Sequence, residues 1–342
     1  MTALNNAVMP SDPNTIPMRL LRLITALCGL FALSAVAAPA VLPLPSDWYP
    51  ESVAVGADGS FYVGSWRQGA VARLRPGSTV PEVLVTPGSN GLANGQGVLV
   101  DARTRSLWVC SGSLGFATVP MTPSALKRYD LVTGAAQASY PMPDGGYCND
   151  LVQDARGVVY VTDSAHPRIL RLLPGSAALT LWKEDPLLSG PGPFPGLNGI
   201  AIDEGRQVYV SLVAAVPYLL RIPLGRHGEG GDVTRVEAPR ELKNVDAIRS
   251  WKPGHLVLFE SNAFGKGPYG GLITAARIDG DRMHLRSVAA GLNDPSSGVV
   301  VGRRVYFIES KYSLLLQHKD DDAAVPRGVP FDLQSRELPG DD

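Results

Sequence analysis

The chain has 342 residues, with 31 Lys and Arg against 32 Asp and Glu. That balance leaves no basic excess to recruit nucleic acid or an anionic membrane surface. The 37 Gly and 29 Pro, set among Leu-rich and β-branched segments, favour many short strands joined by turns over long helices.

The first segment with a clear character runs from Met18, "MRLLRLITALCGLFALSAVAAPA". Arg19 and Arg22 give a positive start, Ile24 to Val36 an apolar core, and Ala35-Val36-Ala37 a small-x-small cleavage site. Residues 1–37 therefore read as a secretory signal, with Met18 as an alternative start, and the mature chain is expected to be secreted or periplasmic. The apolar run falls short of the about 20 residues needed to span a bilayer, so no stable membrane insertion is expected. Cys28 lies inside the run, and cleavage leaves Cys110 and Cys148 in an oxidising compartment. They can form a disulfide or stay as two buried thiols, since unpaired Cys behaves as a small hydrophobe.

Beyond the signal one unit recurs six times: a polar residue, a small residue, an aliphatic run, a short turn, then a second run ending near Ser. The copies are "ESVAVGADGSFYVGS", "QGVLVDARTRSLWVCS", "NDLVQDARGVVYVTDS", "NGIAIDEGRQVYVS", "DAIRSWKPGHLVLFES" and "SGVVVGRRVYFIES". Their heads, Glu51, Gln96, Asn149, Asn198, Asp246 and Ser297, are spaced 45, 53, 49, 48 and 51 residues apart. Two positions on stand Val53, Val98, Leu151, Ile200, Ile248 and Val299, aliphatic in every copy. A period near 50, with about four strands per unit, describes an all-β six-bladed propeller of four-stranded antiparallel blades. A single domain over 40–335 follows, and the segment Ala40 to Leu44 is expected to complete the last blade.

Within each blade the first turn is short, whereas long segments follow the second strand, as Ser111 to Ala125 and Ser261 to Gly271, or precede the first, as Gly88 to Gly95 and Ser189 to Gly196. Both connections share one rim, where long loops on a rigid scaffold carry function. The heads emerge on that rim around the central channel, and their chain is still turning there, so Glu51, Asn149, Asn198 and Asp246 can converge from four blades. Asn and Asp also suit turns because they hydrogen-bond local backbone; Glu51 is no turn residue and tips the set toward a site. Two carboxylates and two amides offer only oxygen to a hard divalent cation. Ca2+ suits the set best, with Mg2+, Mn2+ or Zn2+ as alternatives, although structural zinc sites want Cys or His that this column lacks. Two carboxylates clustered without a cation would push one pKa upward.

These residues, "PES" at Glu51, "CND" at Asn149, "LNGIAID" at Asn198 and "VDAI" at Asp246, resemble the signature of the senescence-marker-protein, gluconolactonase and luciferin-regenerating-enzyme family of six-bladed propellers. The resemblance implies that Glu51, Asn198 and Asp246 bind the metal and that Asn149 contacts substrate and the metal-bound water. It runs from about Glu51 to Ser310. Paraoxonases and strictosidine-synthase-like propellers share the layout, but the paraoxonase pattern wants an Asn where Ala247 stands. Sugar-lactone hydrolases of the family place an Arg two residues before the third-blade Asn. Here that residue is Tyr147, which with Phe194 and Tyr269 hints at a more apolar substrate than gluconolactone.

The activity implied is metal-assisted hydrolysis of a small-molecule lactone or related ester. The cation polarises the carbonyl, a metal-bound water oriented by Asn149 attacks, and Asp246 serves as ligand and general base. Its rival is a non-catalytic propeller whose metal only rigidifies the channel mouth for a partner. Two other motifs fail on context: "GKGPYG" at Gly265 to Gly270 lacks a strand-turn-helix, and "SALK" at Ser124 to Lys127 lacks the companions of a Ser-x-x-Lys site. His166, just after the third blade's second strand, lies near the rim but belongs to no ligand spacing.

Overall fold

Six sheets, each of four antiparallel strands, account for nearly all the regular structure of the computed structural model. It describes residues 41–190, 196–214, 216–262 and 269–340. The signal segment, Cys28, Ala40, Phe194 and most of the Gly265 to Gly270 motif lie outside the described residues. No helix among the described residues is long and apolar enough to cross a membrane.

The innermost strands of blades 1 to 6 are Pro50–Val55, Asn94–Asp101, Cys148–Gln153, Leu197–Asp203, Asn244–Lys252 and Gly298–Val301. Each pairs with the next strand in sequence across a tight turn. In blade 1 the Asp58 carboxylate accepts from the Ser60 amide at 3.0 Å while Gly59 takes a positive φ of 81°, the local chemistry that reverses a chain in few residues. Blade 6 draws its outer strand from the other end of the chain: Val41–Pro43 pairs antiparallel with Asp332–Glu337, Val41 opposite Gln334. The expected closure by residues near Leu44 is therefore present.

The described residues form no single core. Six apolar clusters fill the six gaps between successive blades, the last joining blade 6 to blade 1 through Tyr306, Ile308 and Leu333 against Val53, Phe61 and Val63. The aliphatic residues two positions after each head, Val53, Val98, Leu151, Ile200, Ile248 and Val299, are all buried in these seams. Period-2 alternation explains why: residues i and i+2 of a strand share a face.

The gaps are narrow beside the channel. A Cβ on Gly199 would lie 2.8 Å from the Ala247 Cα and the Ile248 amide nitrogen of blade 5, so the inner strands of blades 4 and 5 meet backbone to backbone. The up-and-down strand order puts the second-to-third-strand connections and the inter-blade connections at one end of the ring. They include a stretch the repeats did not flag, residues 309–331 of blade 6, which carries the short helix Ser313–Leu316. Its acidic "KDDDAA" cluster is partly spent, because Asp322 pairs with Arg67 at 2.8 Å.

Candidate functional site

In blades 1 to 5 the head residues stand inside the innermost strands, not before them, and the backbone feature that frees them is a β-bulge. In blades 1 to 5 the pairing register slips at Pro50/Ser52, Gly95/Val98, Cys148/Leu151, Leu197/Ile200 and Val245/Ala247. Glu51, Gln96, Asn149, Asn198 and Asp246 each fall within one of these slips. A bulge leaves a residue unpaired and re-aims its side chain, which is how five strands of ordinary alternation present polar groups at one place. Blade 6 has no such slip, and Ser297 lies just before its strand, accepting from Arg249 at 3.0 Å.

Asn198 Nδ2 donates to Asp246 Oδ1 at 2.7 Å. Asn149 Nδ2 donates to Ser164 Oγ at 2.9 Å, and Ser164 donates in turn to the Leu197 carbonyl beside Asn198. With both amide nitrogens engaged, the amide oxygens face elsewhere: Asn149 Oδ1 and Asn198 Oδ1 are buried without a hydrogen-bond partner, and so is Glu51 Oε2. Leaving a buried acceptor unmade costs about 1–3 kcal/mol each, a penalty carried by the inner strands of blades 1, 3 and 4.

Electrostatics ties Glu51 to the same place. Burial holds its carboxyl well above the usual carboxylate range, and the nearby charges of Asp246 and Asp150 raise it further against the opposing Arg249 guanidinium. Burial also raises Asp246, to about 7, with Asp294 and Asp150 adding and the Asn198 hydrogen bond opposing. Asp294 is itself pushed up to about 6, mainly by burial. Acidic groups thus crowd the mouth with one Arg among them.

The oxygen set fits a hard divalent cation on the chemistry of its donors. It comprises two buried carboxylates whose ionised forms burial disfavours and two amide oxygens with nothing to accept from. Among the described residues no three His, Cys, Asp or Glu side chains are placed to hold a metal ion together, so a cation here would rely on the amide oxygens as well as the two carboxylates.

Several residues at the site escaped the repeat pattern or were given no role by it. Gln96 was visible as a head. Asp150, the other half of the Asn-Asp pair, turns away from the set, as alternation requires: it accepts from Arg249 at 2.9 Å and from the Ile200 amide at 3.3 Å, fastening blade 3 to blades 4 and 5. Trp66 and Tyr312 follow the second strands of blades 1 and 6, their rings 5.1 Å apart. Burial and the charges of Asp246 and Glu51 raise Tyr312. A copy-by-copy comparison cannot flag such aromatics, because each occurs in one blade.

Tyr147 is buried and its hydroxyl lies 2.6 Å from the Gln96 amide, whereas Tyr269 is exposed on its rim loop. His166 Nδ1 lies 3.1 Å from Asp163, which also accepts from the Tyr147 amide and from Arg168. Ser124 and Lys127 have separate partners, the Ser111 carbonyl and Ser139 Oγ, so the Ser-x-x-Lys match is accidental. Cys110 and Cys148 form a buried disulfide joining blade 2 to the inner strand of blade 3. A cleft of about 500 Å3 lined by Tyr218, Arg235, Glu237 and Arg240 opens beside blade 4 and contains none of the four candidate ligands.

No protein-family model and no curated protein matches the chain. Solved structures do share its fold. A gluconolactonase from Xanthomonas campestris superposes with a TM-score of 0.57 at 16% identity, covering 88% of each chain. Regucalcin from Agrobacterium tumefaciens, a calcium-binding protein, gives 0.60 at 16% identity over 86% of this chain and 93% of its own. A quinone-bound aldose sugar dehydrogenase from Streptomyces coelicolor gives 0.56 at 13% identity over 88% and 99%. Proteins of different chemistry share this scaffold, so the likeness establishes the propeller and leaves function to the residues at its mouth.

Proposed function

We propose that this propeller is a divalent-cation-dependent hydrolase of a lactone or related ester. Glu51, Asn149, Asn198 and Asp246 would hold the cation, with Ca2+ the favoured ion. The observation that carries the reading is the set of partner-free buried oxygens on Glu51, Asn149 and Asn198, beside a carboxylate at Asp246 that burial keeps reluctant to ionise. The fold likeness to a gluconolactonase and a calcium-binding regucalcin supports it. A cation bound there would polarise a substrate carbonyl and offset the charge that develops on it.

The chain's own residues supply the rest. Asn198 holds Asp246 Oδ1, fixing the carboxylate plane and leaving Oδ2 to take a proton from an attacking water. Asn149 is held by Ser164 through its Nδ2, so its oxygen is the end offered to the reacting groups. The rigid inner strands fix these groups in place before substrate arrives, which is where electrostatic catalysis gains most. The buried Cys110–Cys148 disulfide supports the expectation of export to an oxidising compartment.

The test is metal content and turnover on a panel of lactones and aryl esters, with and without chelator, for the parent protein and for Glu51→Gln and Asp246→Asn. Chelator-sensitive turnover that both substitutions reduce by at least about 100-fold, as for a lost catalytic interaction of roughly 3 kcal/mol, supports the proposal. Unchanged metal content and turnover in both variants would end it. Metal binding without turnover on any ester would leave a binding propeller.

A further inference from the structure

Gln96 heads the inner strand of blade 2 and shares the bulge geometry of the four candidate ligands, yet it is not part of their oxygen set. It is buried, with 5% exposure, between three polar side chains. Trp66 Nε1 lies 2.8 Å from one terminal atom of the amide and the Tyr147 hydroxyl 2.6 Å from the same atom. An indole N–H donates and never accepts, so the atom facing Trp66 is the carbonyl oxygen. The amide nitrogen then faces Glu51 Oε1 at 3.1 Å and donates to it. The opposite orientation would set N–H against N–H at Trp66 and carbonyl against carboxylate at Glu51.

The amide is therefore locked by two donors on one side, and the lock fixes what Glu51 can do. Oε1 receives the Gln96 N–H, and Oε2 is left buried and without a partner. Gly112 is part of the arrangement, because a Cβ there would lie 2.3 Å from the Tyr147 hydroxyl; no other residue leaves room for that hydroxyl to reach Gln96.

We infer that Gln96 is a positioning residue for the cation site: the relay from Trp66 and Tyr147 through its amide presents Glu51 to a divalent cation through Oε2 alone. The inference rests on reading the channel mouth as a cation site. It gives Tyr147 the work of an internal fastener and makes Trp66, which acts through Gln96, a determinant of cation affinity. Outer groups that orient metal ligands commonly change affinity by about 10–100-fold when removed.

The experiment is calorimetric Ca2+ titration of the parent protein, Gln96→Met, Trp66→Phe and the double variant, with the melting temperature of each cation-free protein recorded alongside. Met matches the length of Gln and lacks its donor. The expected result is Ca2+ binding weakened about 10–100-fold in Gln96→Met, weakened less in Trp66→Phe, and no weaker in the double variant than in Gln96→Met. That non-additivity is the signature of one relay, and a purely structural role would show losses that add. Should Gln96→Met not fold, Tyr147→Phe replaces it: a partial loss of Ca2+ affinity is expected in Tyr147→Phe and in Trp66→Phe, and parent-like affinity in both overturns the relay. Affinity equal to the parent in Gln96→Met and Trp66→Phe, with the parent binding Ca2+, overturns the relay and leaves the cation site standing. A parent protein that binds no Ca2+, Mg2+ or Mn2+ overturns the cation site and the relay with it.

Discussion

Removing the Cys110–Cys148 disulfide should lower stability without disarming the site. The bridge closes a loop of 38 residues between the second strand of blade 2 and the inner strand of blade 3. In the chain-entropy account a loop of that length constrains the unfolded ensemble by about 4 kcal/mol. With an unfolding entropy of about 2.1 cal/mol/K per residue over a ring of about 300 residues, that corresponds to a melting temperature lower by about 6 °C. The inner strand keeps other anchors on both sides of the bridge: the Tyr147 amide donates to Asp163 at 2.8 Å and the Cys148 amide to Ser124 at 2.8 Å. Asn149 therefore keeps its place, and ester turnover at room temperature should change by less than about twofold. The assay is thermal unfolding of the oxidised protein, of the same protein after reduction in denaturant and refolding, and of Cys110→Ala/Cys148→Ala, with turnover measured in each. Coincident melting curves for the oxidised and reduced forms would refute the reasoning. So would two titratable thiols in the denatured, unreduced protein.

Three further outcomes follow from the site and its seams. Because burial raises Asp246 to about 7 and holds Glu51 above the usual range, the cation-free fold favours their protonated forms. The stability these two carboxyls contribute should therefore be full below about pH 4 and be lost as pH rises through about 7. Melting temperatures with and without Ca2+ should diverge across that window, the gain from Ca2+ being larger at pH 8 than at pH 5. Gly199→Ala forces a Cβ onto the blade 5 backbone at 2.8 Å; a loss of about 1–3 kcal/mol in denaturant unfolding is expected, with weakened cation binding as the Asn198–Asp246 contact opens. Arg249→Met leaves the Asp150 carboxylate, 6% exposed, without its 2.9 Å partner and should cost about 3–5 kcal/mol by the same measurement.

How much of this was readable beforehand depends on whether the information repeats. The six-bladed ring follows from a polar head and an aliphatic residue two positions on, because every inter-blade seam needs the same apolar wedge. Glu51 stood out since Glu is a poor turn residue, and its burial beside Asp246 bears on that choice. The bulges were not legible: a slip of register depends on the partner strand, and no local residue pattern marks it. The role of Gln96 was hidden for a related reason, since it comes from Trp66 and Tyr147, which reach it from blades 1 and 3. Pairing of Cys110 with Cys148 stayed open because sequence gives spacing and not proximity. The stretch 309–331 was missed because the repeat carries no counterpart for it.

Blade 6 takes its outermost strand from Val41–Pro43 and the other three from residues 298–337. The order of synthesis and the order of assembly therefore run in opposite senses at this one place. The segment that leaves the ribosome ahead of every blade has no docking edge until the last of them has been made. Five sheets can form progressively, but the circle is fastened by three facing residue pairs, and only a finished chain can supply both halves of that clasp.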